Sequence, residues 1–195
     1  MSKVLLKDPK LRPLVETIEL PELRNDETVY FSLSRSIVSQ QLSTKAAATI
    51  FTRFLEFFPY NTPDPNLLLD MEIEQLRTAG LSRQKSQYLK NIAERSLEDQ
   101  WHTLDWSAYD DKAAIDYLTQ IKGVGVWTAQ MTLMFTLKRP DIFPVGDLGI
   151  QQAMKRLYEM ELEGKELLHW MESVASNWSP QRTLASRYLW RWKDQ

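Results

Sequence analysis

Apolar residues recur at intervals of three and four along almost the whole chain, and alternating stretches long enough for a strand are absent. That spacing gathers apolar side chains onto one stripe of a 3.6-residue helix, so an all-α protein is predicted. Punctuating residues set the boundaries. Arg12 to Leu20 gives a short helix, and Asp26 is placed to cap a longer one through Tyr30, Leu33, Ile37 and Val38. Ser43 precedes "TKAAATIFTRFLEFF", an alanine run with an aromatic end that stops at Pro59, and "PYNTPDP" reads as a loop. Glu72 to Ala79 is a short helix ended by Gly80, and Ser82 caps another through Tyr88, Leu89 and Ile92. The acidic stretch Glu98 to Asp111, carrying Trp101 and Trp106, reads as a loop or broken helix, after which Asp110 or Asp111 opens a helix ending near Gln120. Next come the turn "IKGVG", a helix to Leu137, the connection "KRPDIFPVGD", a helix from Leu148 to about Tyr158, and two more. The last is predicted to open with Ser179 as N-cap and Pro180 at the first helical position.

Composition narrows the chemistry. A chain of 195 residues with 43% hydrophobic and 26% charged residues is ordinary for one globular domain or two packed lobes. It has no cysteine, which excludes disulfides, thiolate zinc sites, iron–sulfur clusters and cysteine nucleophiles. With His102 and His169 its only histidines, a histidine metal site is not expected. The N-terminal "MSKVLLKDPKLRPLVE" is broken by charges and prolines and reads as neither signal peptide nor membrane anchor, so a cytoplasmic location is expected, at the nucleoid if the source is bacterial. A net charge of −2 weighs against nucleic acid binding, although local distribution can override the total.

Two segments carry candidate chemistry. Gly123 and Gly125 permit positive φ and close approach of another group to the backbone, and the amides of Gly125, Val126 and Trp127 point outward at a helix N-terminus. Helices joined by Ile121 to Gly125 thus form a candidate helix-hairpin-helix, a phosphate-binding geometry that needs little basic charge. A plain glycine turn is the competing reading. Asp147, after Pro144-Val145-Gly146, stands at the entry of the next helix, where Asp is a favoured N-cap. A carboxylate fixed at a helix end is also what an enzyme needs to face a positively charged transition state.

Four blocks in this order resemble the helix-hairpin-helix superfamily of DNA glycosylases, and its 3-methyladenine DNA glycosylase II branch in particular: "RSIVSQQLSTKAA", "GLSRQKSQYLKNIA", "IKGVGVWTAQM" with "RPDIFPVGDLGIQ", and "WSPQRTLASRYLW". They cover about residues 30 to 190. The resemblance implies two packed helical lobes with a DNA and active-site cleft between them, about residues 30–120 forming one and the N-terminal segment plus about 121–195 the other. It implies a monofunctional enzyme of base excision repair that flips alkylated purines of the 3-methyladenine and 7-methylguanine type out of duplex DNA and hydrolyses the N-glycosidic bond. By position Asp147 is the catalytic aspartate, Gly123, Val124 and Gly125 grip phosphates, and the carbonyls of Thr119, Ile121 and Val124 could hold Na⁺ or K⁺. Gln41, with or without Leu42, lies where relatives insert a plug into the gap left by the flipped base. Trp127 and Trp178 fall where relatives place base-pocket rings; core packing is the alternative for each. Bifunctional relatives carry a lysine immediately before the Thr-Ala that follows the hairpin, where this chain has Trp127, so no lyase activity is expected.

Arg83 and Lys85, at a helix start within the second block, are candidate DNA contacts; Lys45 and Arg182 are weaker ones, and the acidic 98–111 stretch should face away from DNA. A monomer acting on duplex DNA, without membrane association or a required cofactor, is expected. The alternative is a non-catalytic helix-hairpin-helix protein that senses distorted duplex, and a helical protein–protein scaffold with a merely structural hairpin is a third reading.

Overall fold

The computed structural model describes residues 3–23 and 27–195. Among them every regular element is helical: α1 (Arg12–Thr17), α2 (Val29–Ser39), α3 (Thr44–Leu55), α4 (Pro65–Asp70), α5 (Ile73–Thr78), α6 (Arg83–Glu98), α7 (Asp111–Thr119), α8 (Val126–Phe135), α9 (Leu148–Tyr158), α10 (Gly164–Ser176) and α11 (Arg182–Lys193), with short 3₁₀ turns at Leu5–Lys7, Pro59–Asn61 and Trp106–Ala108. The chain forms two compact units, Met1–Leu23 with Leu133–Gln195, and Arg24–Thr132, dividing within α8.

In the Arg24–Thr132 unit, α6 packs against α2, α4 and α5. Its apolar stripe, Leu89, Ile92 and Ala93, is buried with Leu33, Ile37 and Val38 of α2, Leu68 of α4 and Leu76 of α5. Hydroxyl and carboxylate caps set the helix starts, as their spacing predicts: Ser43 accepts from the amide of Ala46 at 3.3 Å, Ser82 from Lys85 at 3.2 Å and Asp110 from Ala113 at 2.7 Å. Asp26 lies outside the described residues, and α2 is capped by Thr28, which accepts from the amide of Phe31 at 3.1 Å. "PYNTPDP" is only half a loop: Asp64 accepts from the amides of Asn66 at 2.8 Å and Leu67 at 3.2 Å and opens α4, with Pro65 at the first helical position.

In the other unit, α9 packs against α10 and α11, and α1 also packs on α11. The core gathers Leu11, Leu14, Ile150, Met154, Met171 and Leu189 around Trp178. Asp8 ties the N-terminal segment to it. One carboxylate oxygen accepts from the amides of Lys10 at 3.0 Å and Leu11 at 3.1 Å; the other accepts from the Trp178 indole at 2.8 Å and the Tyr158 hydroxyl at 2.5 Å. Asp8→Ala strands the buried Trp178 indole and the half-buried Tyr158 hydroxyl without an acceptor, at about 1 to 3 kcal/mol each, so a loss of about 2 to 6 kcal/mol is expected, read as a lower urea midpoint at unchanged slope. A change below about 0.5 kcal/mol, the size of an ordinary surface substitution, would contradict this role.

The start of α11 differs from expectation. The Ser179–Pro180 bond is cis, and the helix begins at Arg182 without a cap from its own N-cap residue. Asp141 substitutes from the preceding connection: it accepts from the Arg182 amide at 3.2 Å, from the Arg182 guanidinium at 2.8 and 2.9 Å, and from the Ser179 hydroxyl at 2.8 Å. Arg182 is thereby engaged as a structural anchor. No described helix is long and apolar enough to cross a membrane.

Candidate functional site

The hairpin is a tight turn whose two glycines answer to different constraints. The Val124 amide donates to the Ile121 carbonyl at 2.9 Å and the Ile121 amide to that of Leu118 at 3.2 Å, while both side chains are buried and anchor the turn. Gly123 has φ +109, and a Cβ there would lie 2.3 Å from Cγ of Tyr88, so neither backbone nor packing admits a side chain. At Gly125 a Cβ would meet nothing within 4 Å, and the residue is exposed. No described atom within 4 Å requires glycine there, and the position is open to approach from outside. With Val126 it forms the exposed N-terminal end of α8, where amides and the helix dipole favour an anion such as phosphate.

Beside the hairpin lies the turn between α2 and α3. Gln41 is exposed with φ +57, a conformation that L side chains avoid, and Leu42 next to it is exposed too. Gln40 crosses to the hairpin, donating from its side-chain amide to the Gly123 carbonyl at 3.2 Å, and Asn91 of α6 donates to the Lys122 carbonyl at 3.1 Å. A cavity of about 400 Å³ opens here, lined by Arg35, Ser36, Ser39, Gln40, Gln41 and Trp127. Trp127 is 47% exposed despite its size. The plug candidate and one candidate pocket ring therefore share one cavity of ligand dimensions. Arg35 forms an ion pair with Glu27 at its edge.

The two basic candidates on α6 are placed differently. Arg83 is three-quarters exposed and pairs with Glu74 at 2.8 Å, a surface contact weak enough to exchange for a phosphate. Lys85 is turned inward: its ammonium donates to the carbonyls of Val38 at 2.8 Å and Gln40 at 2.7 Å. Carbonyls at the end of α2 thus engage two of its three N–H donors, and the side chain is half-buried.

In the other unit Asp147 caps α9. Its Oδ1 accepts from the Ile150 amide at 2.8 Å and from the indole N–H of Trp190 at 2.9 Å. The preceding turn is fixed by the Asp147 amide on the Pro144 carbonyl at 2.9 Å and the Gln151 side chain on that of Val145 at 3.0 Å. Trp190 packs on Phe135, with centroids 6.0 Å apart. Gly149 makes room for this indole, since a Cβ there would stand 3.2 Å from its Cδ1 and 3.0 Å from the Asp147 oxygen. Trp178, the other expected pocket ring, is corrected to a core residue: it is 0% exposed, packs edge-on against Phe143 and gives its N–H to Asp8. The ring beside the candidate catalytic carboxylate is Trp190, twelve residues later in the same block. Sequence offered one signal for it, the small residue two positions after Asp147.

No group of three or more His, Cys, Asp or Glu among the described residues could hold a metal ion. The carbonyls of Thr119, Ile121 and Val124, at the end of α7 and in the hairpin, are the neutral hard oxygens that suit Na⁺ or K⁺. The Ile121 oxygen already accepts one amide, which leaves a second lone pair for an ion.

Comparison with known proteins fits this geometry. DNA-3-methyladenine glycosylase 1 of Schizosaccharomyces pombe is 35% identical over 164 residues, which make up 83% of this chain and 71% of that protein. The Bacillus subtilis protein YfjP is 31% identical over 172 residues, 85% of this chain, and the chain spans 59% of that relative's length. The solved structure of the S. pombe 3-methyladenine DNA glycosylase in complex with abasic DNA matches with a TM-score of 0.83 at 30% identity, covering 100% of this chain and 98% of that one. The sequence profile of the HhH-GPD superfamily matches residues 34–177, a span that holds the hairpin, the Gln41 turn and Asp147. The chain belongs to the HhH-GPD superfamily of base excision DNA repair proteins.

Proposed function

We propose that the chain is a DNA glycosylase of the 3-methyladenine type II class, acting as a monomer, which extrudes alkylated purines from duplex DNA and hydrolyses their N-glycosidic bond without cutting the strand. The observation that carries this reading is the Asp147 carboxylate, held at the start of α9 by the Ile150 amide and the Trp190 indole. Alkylation at N3 or N7 makes the purine cationic and a good leaving group, so the demanding species is the oxocarbenium-like sugar. A fixed carboxylate stabilises it and can orient the attacking water. The exposed ring of Trp127 suits a flat cationic base, for which stacking contributes about 1 to 3 kcal/mol. The Gly125 end of the hairpin binds the neighbouring phosphate, and Gln41, alone or with Leu42, fills the space the base vacates. Na⁺ or K⁺ on the Thr119, Ile121 and Val124 carbonyls would add a positive charge beside that phosphate. With Trp127 standing where bifunctional relatives have lysine, the chain lacks the amine that would attack the sugar.

Incubation of end-labelled duplex carrying one 7-methylguanine should give strand breaks only after alkaline treatment, since hydrolysis leaves an intact abasic strand. Breaks without alkali would refute the monofunctional reading. Binding led by the hairpin neutralises few phosphates, about four, so log affinity should fall with log salt at a slope near −3.6; a slope near −10 would contradict hairpin-led binding.

A further inference from the structure

One face of α6 holds both elements that the proposed function assigns to DNA. Lys85, Tyr88 and Asn91 recur every third residue and so lie along one side of the helix. Asn91 donates to the Lys122 carbonyl at 3.1 Å, and the Tyr88 ring fills the space under Gly123 that a Cβ would need. Lys85 holds the neighbouring turn. At the end of α2 the last carbonyls lack intrahelical donors, and those of Val38 and Gln40 accept from the Lys85 ammonium at 2.8 and 2.7 Å, using two of its three N–H groups. The chain then leaves helical geometry at Gln40 and enters positive φ at Gln41. The ammonium is partly desolvated, which lowers its pKa from the ordinary lysine value.

We propose that Lys85 is a positioning residue for base extrusion, fixing through the Val38 and Gln40 carbonyls the turn that presents Gln41 beside the hairpin. The proposal rests on the reading of Gln41 as the plug. Gln40 completes the link, since the residue whose carbonyl Lys85 holds donates from its own side chain to the Gly123 carbonyl. A compact three-donor cation fits between two carbonyls where a planar guanidinium fork does not, so lysine and arginine are not equivalent here.

The test uses the full chain, a duplex with 2-aminopurine beside a single 7-methylguanine to report extrusion by stopped-flow fluorescence, and a tetrahydrofuran abasic duplex for affinity at several salt concentrations. Lys85→Met should slow extrusion and single-turnover excision roughly tenfold, as a displaced positioning group does, while abasic affinity stays within about threefold. Its salt slope should match wild type. Lys85→Arg, which keeps the charge, should bind as wild type yet extrude slowly, and it decides the matter if Lys85→Met does not fold. A merely structural lysine would lower the melting temperature and leave extrusion by the folded protein unchanged, which overturns the proposal. So would a slope weaker by about 0.9 in Lys85→Met together with wild-type extrusion in Lys85→Arg, the signature of one phosphate contact. Gln41→Ala separates the two readings: normal extrusion in that variant refutes the plug itself, whereas slow extrusion there with normal extrusion in Lys85→Met refutes only the role of Lys85.

Discussion

Asp147→Asn is expected to fold and bind an abasic duplex like wild type, yet to excise alkylated purines about 100- to 1,000-fold more slowly, the usual cost of removing one preorganised electrostatic group. Folding should survive because the side-chain oxygen of asparagine caps a helix as well as that of aspartate. It can still accept from the Ile150 amide and the Trp190 indole, which both use Oδ1 in the native side chain. What the substitution removes is the negative charge, the one property that the sugar cation would use. Single-turnover excision with enzyme in excess, beside a thermal melt and an abasic-duplex titration, separates these effects. Wild-type excision would show that Asp147 is only a cap.

The two hairpin glycines should behave oppositely when each is replaced by alanine. Gly123→Ala forces a Cβ to within 2.3 Å of the Tyr88 ring at φ +109. Backbone strain and overpacking together should cost about 2 to 5 kcal/mol, a large share of a typical domain's stability. Gly125→Ala meets nothing within 4 Å and should melt as wild type. Its added methyl lies at the exposed helix end, so the loss should appear in duplex affinity, roughly tenfold if one phosphate contact is lengthened, at about 1.4 kcal/mol per decade. Equal melting temperatures for the two variants would contradict the assignment of Gly123 to internal packing. Unchanged affinity for Gly125→Ala would contradict the approach of DNA at that point.

What could be read from the sequence follows the range of the interactions involved. Helix starts capped by the residue just before them, such as Ser43, Ser82 and Asp110, were legible, and α9 runs from Leu148 to Tyr158 as its spacing predicts. The start of α11 was not, because its cap is Asp141, 41 residues upstream. The same distinction governs the site. The GxG turn and the N-cap Asp147 are local features with physical reasons visible in sequence. Which tryptophan of "WSPQRTLASRYLW" reaches Asp147 depends on a contact 43 residues long, and Trp190 makes it while Trp178 is spent on the core with Asp8. Lys85 likewise looked like any exposed base at a helix start until the Val38 and Gln40 carbonyls, more than 40 residues away, were placed against it. Local chemistry thus named the hairpin and the carboxylate, and tertiary contacts sorted the aromatic and basic side chains around them.

The most direct test is chromatography of the free bases released when the full chain is incubated with methylated duplex DNA. The expected result is time-dependent release of 3-methyladenine and 7-methylguanine as free bases. Tight binding to the same DNA with no free base released would contradict a glycosylase and leave a lesion-binding protein in its place.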